Sequence, residues 1–89
     1  FIEALADAGV RLGLTRDEAL QLASATVKGS AAMVMETGIH PAQLKDNVCS
    51  PGGTTIEAVY ELEKGGFRSS IINAVTSSAR RSGELSNNS

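Results

Sequence analysis

The sequence predicts an all-α fold: a small helical bundle with one long central helix, paired with a second copy in a dimer. Three observations carry that expectation. Apolar residues recur at three- and four-residue spacing along most of the chain, and no stretch alternates apolar and polar residues as a strand would. Thr15 to Thr37 reads as one helix of roughly 22 residues and about 33 Å, apolar over so much of its circumference that it wants partners on two sides. A chain of 89 residues is hard pressed to supply both, since at this size only roughly 65% of the unfolded surface is buried on folding.

The first helix spans Phe1 to about Leu12. Ile2, Leu5, Ala6 and Gly9 share one face, and Glu3, Asp7 and Arg11 form a polar row on the other. Gly13 stands where a left-handed cap is expected, with Leu14 folding back as its apolar partner. No capping residue precedes Phe1, which suggests a fragment whose first helix began upstream. Thr15 and Glu18 form a capping box that opens the long helix, and Gly38 stops it. Its residues Leu20, Ala23, Val27, Ala31 and Val34 make one apolar stripe; Leu22, Ala25, Gly29 and Met33 make another.

A short helix follows, with His40 at the cap, Pro41 at the favoured first position and Leu44 facing inward, ending near Val48. A further helix is predicted from Thr55 to Lys64, with Thr54 and Glu57 as a second capping box and Ile56, Val59, Tyr60 and Leu62 inward. Gly65-Gly66 ends it. The last helix begins near Phe67, buries Ile71, Ala74 and Val75, and fades after Arg81, leaving a frayed polar tail from Gly83 to Ser89. The whole chain, 1–89, reads as one domain.

Composition excludes several classes of function. A formal charge of −2 offers no basic footprint for nucleic acid. No apolar run is long enough for a bilayer and no signal-peptide pattern is present, so a soluble protein is expected. One cysteine and one histidine leave no disulfide and no zinc site. Phe1, Tyr60 and Phe67 are the only rings, so the core must be assembled from small aliphatic residues and needs many contacts.

One segment is chemically loaded, Ser50-Pro51-Gly52-Gly53-Thr54-Thr55. Two glycines let the backbone approach a ligand, and the helix that follows presents unpaired N–H groups and a partial positive charge. The Ser50, Thr54 and Thr55 hydroxyls add neutral donors. These are the requirements of a cradle for a carboxylate or phosphate; the plainer alternative is a tight turn with a threonine cap. Glu57, in the first turn, weighs against a strong anion site because its charge uses the same helix dipole. His40 reads as a cap and not a catalytic base, Cys49 as a packed or merely accessible thiol, and Lys45-Asp46 as a solvated helix face. No strand followed by GxGxxG is present, so a dinucleotide site is not expected on this chain.

The stretch HPAQLKDNVCSPGGTTIEAVYELEKGGFR, His40 to Arg68, resembles the signature region of the pyrroline-5-carboxylate reductases. Pro41, Leu44, Val48, Cys49, Ser50, Gly52, Gly53, Thr55, Ala58, Val59, Leu62 and Glu63 fall in register with that family's pattern. EALADAGVRLGL and ATVKGSAAMV are similar to its preceding helices, so the resemblance covers nearly the whole chain. It implies the carboxy-terminal dimerisation domain of an oxidoreductase that reduces 1-pyrroline-5-carboxylate to L-proline with NAD(P)H. The cofactor would be bound by a Rossmann domain absent from this chain, and the chain alone would be inactive. It further implies a homodimer of two interlocked helical domains, with a decamer as a higher assembly, in the cytoplasm or the mitochondrion. By the same resemblance, Ser50, Gly52, Gly53, Thr54 and Thr55 would bind the substrate, a small carboxylate imine. The Gly53 and Thr54 amides and the Ser50 hydroxyl would hold its carboxylate, and Thr55, as the catalytic residue, would hydrogen-bond its ring nitrogen. Two rivals remain: a freestanding helical self-association module, and the carboxy-terminal domain of another reductase of small imine carboxylates.

Overall fold

Capping chemistry sets where this chain turns. In a computed structural model, which describes residues 1–87, five helices and no strand are present among the described residues. They are α1 (Ile2–Arg11), α2 (Arg16–Thr37), α3 (Pro41–Val48), α4 (Thr54–Lys64) and α5 (Phe67–Asn87). The chain divides into two compact units, one over residues 1–44 and one from Lys45 onward, so the division falls inside α3.

In the first unit, α1 packs along α2. Gly13 takes φ +110°, and the Leu14 and Gly13 N–H groups donate to Gly9 and Val10 carbonyls, each at 3.0 Å, which is the helix-ending motif expected at this glycine. Leu14 folds back over Gly9: a β-carbon on Gly9 would stand 3.2 Å from Leu14 Cδ1 and 3.1 Å from Ala19 Cβ. The absent side chain lets the two helices meet closely, around a core of Ala6, Ala19 and Ala23 with Val10 against it. Asp7 pairs with Arg16 at 2.6 Å, joining α1 to the first residue of α2 instead of closing the row along its own helix. The pair is more than half exposed, so its contribution is small, about 0–1 kcal/mol.

Thr15 caps α2 as expected, but Glu18 reaches back to the threonine hydroxyl and not to its backbone N–H. Thr15 Oγ1 accepts from the Glu18 amide at 3.2 Å and donates to Glu18 Oε1 at 2.7 Å. Helix α2 then runs 22 residues to Gly38, which takes φ +67° and donates to the Val34 carbonyl at 3.0 Å. Only part of its first apolar stripe is covered. Ala23 is buried, Val27 and Val34 are half-buried, and Leu20 and Ala31 are exposed. The second stripe is open throughout, with Leu22 57% and Met33 52% exposed.

In the second unit, α4 packs on α5. Three expectations need correction there. Helix α4 begins at Thr54 and not Thr55; its cap is Gly53, and no side chain bonds to its first turn. Thr54 is therefore the first helical residue, and Glu57 lies too far in to complete a capping box. Helix α5 does not fade after Arg81 but continues to Asn87. A single Gly83 costs a helix only about 1 kcal/mol, and Arg81 pairs with Glu84 one turn on at 3.1 Å. The expected frayed tail is thus helical over 83–87, and its last two residues lie outside the described residues. Finally, Ile71, Ala74 and Val75 are exposed, Val75 by 65%, as are Ile56, Tyr60 and Leu62 on α4. Among the expected inward residues of the two helices, Val59 alone is half-buried.

Candidate functional site

The loop between α3 and α4 is shaped by Pro51 and Gly52. The Gly53 N–H donates to the Ser50 carbonyl at 3.0 Å, closing a four-residue turn. Proline pre-sets the backbone at the second position of such a turn, and the third requires a left-handed residue, here Gly52 at φ +67°. The turn hands the chain to α4 one residue earlier than capping chemistry alone suggests. Gly53 itself is extended, at φ −80° and ψ 177°, a conformation any residue adopts. Glycine leaves room there for the serine: a β-carbon on Gly53 would collide with Ser50 Oγ where it now stands, and would lie 3.3 Å from the Ser50 carbonyl oxygen.

The Ser50 hydroxyl is thus brought to the cap of α4, beside amides that no side chain caps. The first helical hydrogen bond is made by the Glu57 N–H to the Gly53 carbonyl, 3.4 Å. Ahead of it, the N–H groups of Thr54, Thr55 and Ile56 head the helix without an intrahelical acceptor. Uncharged donors at a helix start, where the peptide dipoles concentrate partial positive charge, suit an anion. Glu57 is the acidic residue of that first turn and opposes it in part.

The structure places the five candidate residues, Ser50, Gly52, Gly53, Thr54 and Thr55, on this one turn and helix start. Gly52 serves the backbone. The Gly53 amide, expected as a ligand donor, is engaged in closing the turn. Thr55 is half-buried and shares a face with Val59 one turn on, whereas Thr54 is exposed. The Ile56 amide belongs with the other two and was not among the expected donors. The signal for it is the earlier helix start, which a Pro-Gly pair ahead of the second glycine encodes. His40 lies at the start of α3, its Nδ1 accepting from the Ala42 amide at 3.0 Å, as a cap does. Cys49 is a half-buried free thiol, and Lys45 pairs with Asp46 at 3.2 Å on an exposed face. Among the described residues, no group of three or more His, Cys, Asp or Glu is placed to hold a metal ion. No helix there is long and apolar enough to cross a membrane.

Residues 1–85 match the family described as pyrroline-5-carboxylate reductase dimerisation. The chain belongs to that family. A pyrroline-5-carboxylate reductase of Glycine max is 64% identical over 85 residues, which is 96% of this chain and 31% of the relative. Among solved structures, a pyrroline-5-carboxylate reductase from Coxiella burnetii superposes with a TM-score of 0.89 at 44% identity, over 94% of this chain and 31% of that one. The Plasmodium falciparum pyrroline carboxylate reductase with NADP bound does so with a TM-score of 0.83 at 47% identity, over 86% and 29%. The chain therefore spans about a third of the length of the relatives it matches. The resemblance, strongest from His40 to Arg68 and read over nearly the whole chain, is met by a family match over residues 1–85.

Proposed function

We propose that this chain is the dimerisation and substrate domain of an enzyme that reduces 1-pyrroline-5-carboxylate to L-proline with NAD(P)H, the last step of proline biosynthesis. The observation that carries this reading is the family match over residues 1–85, which includes the Ser50–Thr55 turn and its uncapped helix start. The substrate is a cyclic imine bearing a carboxylate. In the proposed site, the Ser50 hydroxyl and the amides at the start of α4 hold that carboxylate, with Gly53 kept bare so that the hydroxyl can stand there. The Thr55 hydroxyl hydrogen-bonds the ring nitrogen, and the two contacts together fix the orientation of the imine carbon.

NAD(P)H supplies hydride when bound. The described residues do not fit it: they contain no strand, hence no strand–glycine turn–helix cradle for its pyrophosphate. We assign the cofactor to a Rossmann domain outside this chain. A homodimer, with a decamer as a further assembly, would cover the open faces of α2 and α5. We place the protein in the cytoplasm or the mitochondrion.

The test is a spectrophotometric assay of the intact protein for NAD(P)H oxidation dependent on 1-pyrroline-5-carboxylate, with proline measured as product. Turnover with stoichiometric proline is expected. Its absence, with the protein folded and dimeric, would favour a helical self-association module.

A further inference from the structure

We propose that His40 is a protonation-sensitive cap, which holds the start of α3 when its imidazole is neutral and releases it when the ring is charged. The proposal goes beyond the reductase reading and does not depend on it. Pro41 heads α3 and has no N–H, so the Ala42 amide is the helix's first donor. That amide donates to His40 Nδ1 at 3.0 Å. A ring nitrogen accepts a hydrogen bond only when it carries no proton, so the observed cap requires the neutral ring with its proton on Nε2. Protonation acts twice in the same direction: Nδ1 turns from acceptor to donor, and a positive charge is set against the positive end of α3.

This differs from the side-chain cap of α2. Thr15 accepts through a hydroxyl, which keeps its acceptor at any pH near neutral. His40 is exposed, and the ion pairs of its neighbourhood do not include it. The closest charged side chains along the chain are Glu36 in the last turn of α2 and, on α3, Lys45 and Asp46, which pair with each other. No counter-charge is thus set to hold the imidazolium in a second cap geometry. The cap is therefore present with the neutral ring and lost with the protonated one.

The experiment is amide hydrogen exchange and chemical shift of Ala42 in the intact protein labelled with 15N-alanine, followed through the titration of the His40 ring. His40→Asn and His40→Ala are measured beside the wild type. After correction for the intrinsic pH dependence of exchange, Ala42 protection in the wild type should fall by roughly 2- to 30-fold on ring protonation, the loss of one cap. Its shift should move with the midpoint of the ring. His40→Asn, which keeps an acceptor, should stay flat across the range; His40→Ala should be low at every pH. A wild-type Ala42 amide that ignores ring protonation would overturn the proposal. So would an equal pH response in His40→Asn.

Discussion

The hydroxyl oxygen of Ser50 occupies the space that a side chain on Gly53 would need. This relationship joins the two ends of the turn and explains a glycine whose backbone angles do not call for one. It also sets a donor hydroxyl at the head of α4, where the amides of Thr54, Thr55 and Ile56 have no side-chain cap.

Gly53→Ala tests that arrangement. The backbone at 53 accepts alanine, and replacing glycine there reduces the entropy of the unfolded chain by about 0.4–1 kcal/mol. The new methyl displaces the end of a flexible side chain, so Ser50 rotates away and overall stability should stay within about 1 kcal/mol of wild type. Substrate affinity should suffer, since the hydroxyl has left the helix start. In the intact enzyme, KM for the imine should rise about 10-fold while the melting temperature barely moves, and Ser50→Ala should show a similar KM. Steady-state kinetics and thermal unfolding on one preparation check this.

Gly29→Leu separates self-association from folding. Nothing lies within 4 Å of a β-carbon at Gly29, and its stripe neighbours Leu22 and Met33 are more than half exposed. Within one chain the substitution should therefore stabilise α2 by about 0.8 kcal/mol through helix propensity. If the stripe is the seat of a close helix contact with a second copy, the added bulk costs about 1–3 kcal/mol there, weakening the dimer roughly 5- to 150-fold. Sedimentation equilibrium should show the dissociation constant rising by that factor. An unchanged constant would place Gly29 outside the dimer contact.

Much of the fold was legible because local chemistry and tertiary packing agree. Thr15, Gly13 and Gly38 each act through neighbours within a few residues, and the structure uses them as the sequence predicts. The start of α4 was misread because two local rules compete. Thr54 with Glu57 satisfies a capping box, but Pro51 and Gly52 close a turn that makes Gly53 the cap. The extent of α5 was misread because Gly83 and a polar composition suggest fraying, whereas the Arg81–Glu84 pair and continued backbone bonding carry the helix on. The inward faces of α4 and α5 reflect periodicity, which identifies an apolar side of a helix without saying which chain covers it. The residues of the candidate site were legible as a group. The engagement of the Gly53 amide and the part of Ile56 were not, since both follow from the turn.

Thr55→Val in the intact enzyme tests the central claim most directly. Thr55 is the second residue of α4, whose cap is Gly53, and its hydroxyl is not the cap of that helix. Valine keeps the volume and removes the hydroxyl. If that hydroxyl holds the ring nitrogen of the substrate, its loss should lower kcat/KM by about 1.5–3 kcal/mol, or roughly 10- to 150-fold. Dimerisation and the melting temperature should stay near wild type. A folded, dimeric Thr55→Val enzyme with wild-type kcat/KM would contradict the account and remove this residue from the site.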